Sequence, residues 1–268
     1  MLPAALRVDI DTLSDVAALE PLLELLERFE VRASFFVAMG PDRCGRNLRN
    51  YLLKPWKLLS PGVLSSYRLS HLLRTLVTPT RMEEHADELR SVLHGNHEVG
   101  LHGYDHYTWM RRLGRMSEEE VGELLRRGVE SFRRVFGAEP QAFASPGFKT
   151  SCAYLRALDS AGFAYASDFF GWRVFYPTCN SWRSDTPQVP VCMPSPGEIG
   201  GDEEVMAALR RGLERAEQYF CFYVHPSHEG VLRLRLVERM LRYLSERCEM
   251  VPLSEIARRF TPSSASPG

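Results

Sequence analysis

The chain has 268 residues, 44% of them hydrophobic and 25% charged, with 33 Lys and Arg against 34 Asp and Glu. That composition excludes a disordered or collagen-like chain, and a net charge of -1 excludes a global field that would gather nucleic acid. The length fits one α/β barrel of roughly 200 to 250 residues.

Short β-like runs alternate with longer helical patterns from end to end. This predicts an α/β fold, a distorted (β/α) barrel with about seven strands. The expected strands are 6–10, 33–37, 98–102, 141–145, 163–166, 188–193 and 221–225, with a last short run at 250–253. A helix over 16–29 follows the first strand, with Leu19, Leu22, Leu23, Leu26 and Phe29 on one stripe. Ser117 with Glu120 three residues later predicts a capping box opening a helix through Phe136, which Gly137 and Pro140 end. The catalytic domain is read as 1–260, followed by a Ser/Pro-rich disordered tail at 261–268. Cys44, Cys152, Cys179, Cys192, Cys221 and Cys248 form no C-x-x-C pair, so reduced structural thiols are expected. No apolar run approaches the ~20 residues a spanning helix needs, and the chain reads as cytoplasmic.

The chemistry-bearing residues gather at strand ends. Asp9 and Asp11 share one face of the first strand, and two carboxylates that close call for a metal between them or a shared proton. His102 and His106 stand four residues apart after the third strand, a spacing at which two imidazoles reach one ion. His97-Glu98 does not complete an H-E-x-x-H motif, because the next histidine falls one residue late on a strand. His94 and His97 are therefore read as loop or supporting groups. His225 closes the seventh strand, and Asp168 follows the fifth. Two histidines and one carboxylate leave coordination positions open for water and substrate, which suits a hydrolase and equally a non-haem iron oxygenase.

The order Asp9-x-Asp11, His102-x3-His106 and late His225 resembles the polysaccharide deacetylase (NodB-homology) family of metal-dependent amide hydrolases. The resemblance covers nearly the whole chain. Arg7-Val8-Asp9-Ile10-Asp11-Thr12, Gly40-Pro41-Asp42 with Gly45-Arg46, His97 through His102, and Pro252-Leu253-Ser254-Glu255 resemble its deformylase branch, which acts on prenyl-phosphate-linked 4-formamido-arabinose in lipid A modification and polymyxin resistance. The resemblance implies a NodB-like barrel. It also implies Asp9 as general base, Asp11, His102 and His106 as metal ligands, His225 as general acid, and Asp168 as a group orienting the catalytic residues, by pairing with the imidazolium. Zinc suits two imidazoles and a carboxylate best, with manganese, cobalt or iron as alternatives. Where many deacetylases carry an Arg-x-Pro-type motif whose Arg pairs with the base, this chain has Ala144-Ser145-Pro146-Gly147-Phe148-Lys149, so Lys149 is the candidate replacement. Glu229 is read as a group for sugar hydroxyls or as a loop cap.

Between Arg43 and Met82 stand eight basic residues and no Asp or Glu, which leaves 25 basic against 34 acidic residues elsewhere. Leu, Tyr and Trp recur among them at helical spacing, predicting basic amphipathic helices in an insert at 43–82. Arg43, Arg46, Arg49 and Trp56 are its candidates for contact with an anionic membrane surface and the substrate's phosphate. The insert reads as peripheral binding to the inner face of the cytoplasmic membrane. No nucleic-acid recognition motif accompanies the basic run. The competing functions are a deacetylase of an N-acetyl sugar lipid or polysaccharide and, from another class, a catalytically dead lipid- or glycan-binding module.

Overall fold

The computed structural model describes residues 1–43 and 80–261. Arg46, Arg49, Trp56, most of the predicted insert and residues 262–268 of the tail lie outside them.

In chain order the described elements are β1 (Leu2–Ile10), α1 (Leu13–Val16), α2 (Leu19–Arg28), β2 (Ser34–Val37), α3 (Ala86–Arg90), β3 (Glu98–Leu101), α4 (His106–Arg112), α5 (Glu118–Phe136), β4 (Ala142–Phe143), α6 (Cys152–Ala161) and β5 (Tyr165–Ala166). A hairpin of β6 (Thr178–Cys179) and β7 (Trp182–Arg183) follows, then α7 (Pro196–Ile199), α8 (Asp202–Arg215), β8 (Phe220–Val224), α9 (Glu229–Leu232), α10 (Leu234–Ser245), β9 (Cys248–Met250) and α11 (Leu253–Phe260). The main sheet runs β5-β4-β3-β2-β1-β8, with β9 also on β1, and every pairing in it is parallel. This is the curled parallel sheet of the barrel read from the sequence.

Four departures from expectation have a local reason. The strand expected at 188–193 forms single bridges only, Ala166 to Gln188, Phe170 to Val191 and Met193 to Phe222. These join β5 to β8 across the gap in the barrel, and Pro187 and Pro190 lack the N–H groups that a continuous ladder needs. The helix expected over 16–29 divides at Ala17–Ala18, because Pro21 cannot donate to the Ala17 carbonyl and its ring crowds that position. β1 begins at Leu2 because its first residues pair with β9. The last run sits at Cys248–Met250, and Leu253 instead opens α11. The capping box is as read: Ser117 accepts from Glu120 N–H, and Gly137 ends α5 in the left-handed region at φ 73°.

Cys152 and Cys179 form a disulfide, which corrects the expectation of reduced thiols throughout. α6 begins against the β6–β7 hairpin and brings the two Cα atoms to 5.7 Å. Cys192, Cys221 and Cys248 are free and buried. Among the described residues no helix is long and apolar enough to cross a membrane.

Candidate active site

Period-two geometry in β1 turns Arg7, Asp9 and the residue just past its end, Asp11, toward one interior space. Arg7 is fully buried and grips Asp9 as a fork, Nε to Oδ1 at 2.7 Å and Nη2 to Oδ2 at 2.7 Å. Its Nη1 reaches the Ser167 hydroxyl at 3.3 Å and the Ser167 carbonyl. The rings of Phe148, Phe36 and Tyr223 surround the guanidinium at 4.7, 5.3 and 5.8 Å. A buried carboxylate needs such a partner, and a planar fork satisfies both oxygens at once. The cation on Asp9 is therefore Arg7, two residues upstream on the same strand, and not Lys149, which is exposed. Period two alone could have suggested it.

The two histidines converge through a strand end, a turn and a helix start, not through one helical turn. β3 stops at Leu101, Gly103 turns the chain at φ 74°, and Asp105 caps α4 by accepting from Thr108 N–H at 2.9 Å. His106 is the first residue of that helix. Arg43 pairs with Asp105, so this basic residue braces the turn between the two histidines. Gly40 admits the turn, since a Cβ there would lie 1.9 Å from the Tyr104 carbonyl oxygen. Asp11 Oδ1 then stands 3.1 Å from His102 Nε2, and Oδ2 stands 3.3 Å from His106 Nε2. The three ligand atoms lie within 4.8 Å of one another. Asp11 Oδ1 and His102 Nδ1 are buried without a hydrogen-bond partner. An acceptor oxygen left without a hydrogen-bond partner beside two imidazole nitrogens, in one small N2O set, fits a divalent ion. Burial pushes the Asp11 carboxyl up, but the His106 and His102 imidazoles outweigh it and hold it well below the usual carboxylate range. Burial lowers His106, and the Asp11 charge raises it further than that.

His225 follows β8, whose register pairs Arg7 with Tyr223 and Val8 with Val224 and so brings the imidazole level with Asp9. Its Nε2 is 3.7 Å from Asp11 Oδ2. Glu229, only 1% exposed, accepts the His225 backbone N–H at 2.8 Å and the Gly197 N–H at 2.9 Å. Its oxygens also lie 3.1 Å from His228 Nδ1 and 3.8 Å from His225 Nδ1. A carboxylate so enclosed positions the imidazole loop and does not reach sugar hydroxyls, which corrects one sequence reading. Burial disfavours the charged His225, but the Glu229 and Asp11 carboxylates raise it to about 10. The same imidazoles hold Glu229 far below its ordinary range against the penalty of burial.

Asp168 does not pair with a histidine. Its carboxylate accepts from Tyr154 Oη at 2.6 Å, Ser145 N–H at 2.7 Å and Gln188 Nε2 at 2.9 Å, and burial pushes its carboxyl up. It fixes the loop after β4, where Ser145 takes the Trp109 indole N–H at 2.8 Å and Phe148, at φ 55°, lays its ring over Arg7. His97 is a supporting group, accepting Ala33 N–H at 3.1 Å. Glu98 ties Ser34, Tyr165 and the start of α11 together at the opposite end of the sheet. Asp15, passed over in the sequence, is buried beside Asp11. A cavity of about 800 Å³ between α2 and the turn at 94–97 shares none of these catalytic-end residues.

Known proteins are similar to the chain in sequence and in fold. The chain is 27% identical to the "Probable 4-deoxy-4-formamido-L-arabinose-phosphoundecaprenol deformylase ArnD" of Shewanella sediminis, over 94% of this chain and 84% of that protein. A Mycobacterium smegmatis structure described as a polysaccharide deacetylase superposes with a TM-score of 0.68 at 17% identity, covering 99% of this chain and 92% of the other. A family 4 acetyl xylan esterase from Clostridium thermocellum, solved with a cobalt ion, superposes at 0.55 and 15% identity, covering 96% and 91%. The polysaccharide deacetylase family model matches residues 5–166, and with its fold and strand-end residues the chain belongs to that family of hydrolases.

Proposed function

We propose that the chain is a metal-dependent deformylase that removes the formyl group from an undecaprenyl-phosphate-linked 4-formamido-arabinose. The observation that carries this reading is the Asp11–His102–His106 cluster with Asp9 and His225 level on neighbouring strands beside it. The relative from Shewanella, matched over most of both chains, supports the substrate class.

Asp11, His102 and His106 would hold a divalent ion, zinc first and manganese, cobalt or iron next, which supplies an acidified water and polarisation of the acyl oxygen. Asp9, oriented by the Arg7 fork, accepts a proton from the attacking water as the new C–O bond forms. His225, charged between Glu229 and Asp11, donates a proton to the leaving nitrogen as the C–N bond breaks. Formate and a free amine result. Tyr223 and Phe148 close the floor around Arg7, keeping water from the base's ion pair.

The same reading puts the protein at the inner face of the cytoplasmic membrane, where the lipid-linked sugar resides. The basic run at 43–82 supports it by its charge, with Arg46, Arg49 and Trp56 as lipid-facing candidates. Binding to anionic liposomes at low salt, lost at high salt, checks this part.

The experiment for the chemistry is mass spectrometry of paired formamido- and acetamido-arabinose phospholipids incubated with metal-loaded and chelated protein. Metal-dependent loss of about 28 Da, the mass of CO, from the formamido lipid alone is the expected result for formyl hydrolysis. Loss from the acetamido lipid moves the activity to deacetylation. Loss from neither contradicts the proposal.

A further inference from the structure

We infer that Asp15 is a positioning residue that locks the metal-ligand loop after β1 to the acid-bearing loop after β8, so that Asp11 and His225 hold their mutual placement as one unit. The inference rests on the hydrolase reading above and assigns a role to a residue that reading does not use.

Asp15 is 2% exposed, and one carboxylate takes five donors. Oδ2 accepts Asp11 N–H at 3.1 Å, Thr12 N–H at 3.0 Å and the Thr12 hydroxyl at 2.9 Å. Oδ1 accepts Ser227 N–H at 3.1 Å and the Ser227 hydroxyl at 2.6 Å. A helix cap accounts for the Thr12 contacts, since Thr12 is the N-cap of α1 and Asp15 its third residue. It does not account for Ser227, which is 212 positions away and two residues beyond His225. Nor does it require the Asp11 N–H, which comes from the metal-ligand residue itself.

The arrangement is costly in isolation, because it buries a second carboxylate next to Asp11. Five donors from two loops offset that cost only in this one relative position of the loops. The two halves of the site, coordination and proton donation, thus share one anchor. Groups that fix metal ligands from behind change metal affinity by about 10- to 100-fold when removed.

The test uses the full chain, first stripped of metal, with zinc alone as the probe, then a formamido-arabinose phospholipid analogue. Asn at position 15 keeps the size but replaces one acceptor oxygen by a donor amide, so either the Asp11–Thr12 side or the Ser227 side must lose its partner. Asp15→Asn is expected to weaken zinc about 10- to 100-fold by competition titration, and to lower kcat while KM stays within about twofold. Ser227→Ala leaves the β1 loop and the helix cap intact, so it is expected to keep zinc affinity within about twofold while kcat falls roughly 3- to 10-fold, because the Ser227 N–H still holds Asp15 and only part of the lost hydroxyl bond reaches His225. A folded Asp15→Asn with both wild-type zinc affinity and wild-type kcat overturns the inference and leaves Asp15 a helix cap. If Asp15→Asn does not fold, Ser227→Ala decides: unchanged kcat overturns the coupling. Wild-type protein that takes up no zinc, manganese, cobalt or iron defeats the hydrolase reading itself, before any variant is compared.

Discussion

Arg7→Lys isolates the value of the fork on Asp9. The substitution keeps the positive charge, so any loss comes from geometry. Arg7 gives Asp9 two charge-assisted bonds of 2.7 Å in a fully buried pair, while a lysine ammonium presents one point charge and can reach one oxygen well. One hydrogen bond to a charged group contributes about 1.5–3 kcal/mol, which at ~1.36 kcal/mol per decade is about a 10- to 150-fold loss in kcat/KM. Arg7 lies beneath Asp9 and makes no surface contact, so the loss belongs in kcat, with KM nearly unchanged. The assay is steady-state release of formate from the lipid analogue, with urea unfolding run alongside to count only folded protein. Lys149→Ala is the control, since that side chain is exposed and the sequence offered it for the same role. Wild-type turnover in Arg7→Lys, or an equal loss in Lys149→Ala, would refute the pairing of Asp9 with Arg7.

The division of roles separates by metal content: Asp9→Asn should retain zinc and lose turnover by at least about 100-fold, whereas His102→Ala should lose zinc itself, both read by atomic absorption after gel filtration. Glu229→Gln removes the charge that helps raise His225 to about 10, so the alkaline limb of the kcat/KM profile should move to lower pH. In stability terms the raised imidazole contributes below its ordinary value near 6.5, and that contribution is lost as pH rises toward 10. The variant's denaturant midpoint should therefore vary less across that window than the wild type's. Gly40→Ala drives a Cβ to within 1.9 Å of the Tyr104 carbonyl oxygen, on the turn that carries both histidines. It should destabilise by about 1–3 kcal/mol in urea and weaken zinc binding together.

Much of this site is legible in the sequence because strand ends announce it. Asp9, Asp11, His102, His106 and His225 each stand at or just past the C-terminal end of a short apolar run, and a parallel barrel delivers such positions to one mouth. What the sequence hides is which charged group each of them faces. Arg7 lies inside an apolar strand two residues from Asp9, whereas Lys149 stands in the open just after Pro146-Gly147-Phe148. Glu229 stays open between a sugar contact and a loop cap in the sequence, because one of its partners, Gly197, lies 32 residues upstream. Asp15 looks like an ordinary first-turn acid until Ser227 is brought to it from 212 positions away. The Cys152–Cys179 pairing depends on where a hairpin folds back, which cysteine spacing does not encode. The break at Pro21 and the interrupted 188–193 segment were legible in principle, since each carries the proline that causes it.

The most direct test of the account is to strip the protein with chelator and titrate zinc back while following formate release from the formamido lipid analogue. The account predicts no release from the stripped protein and activity that rises to a plateau at one zinc per chain, with His106→Ala flat at every addition. Undiminished formate release without metal, or no release at any metal loading, would contradict it.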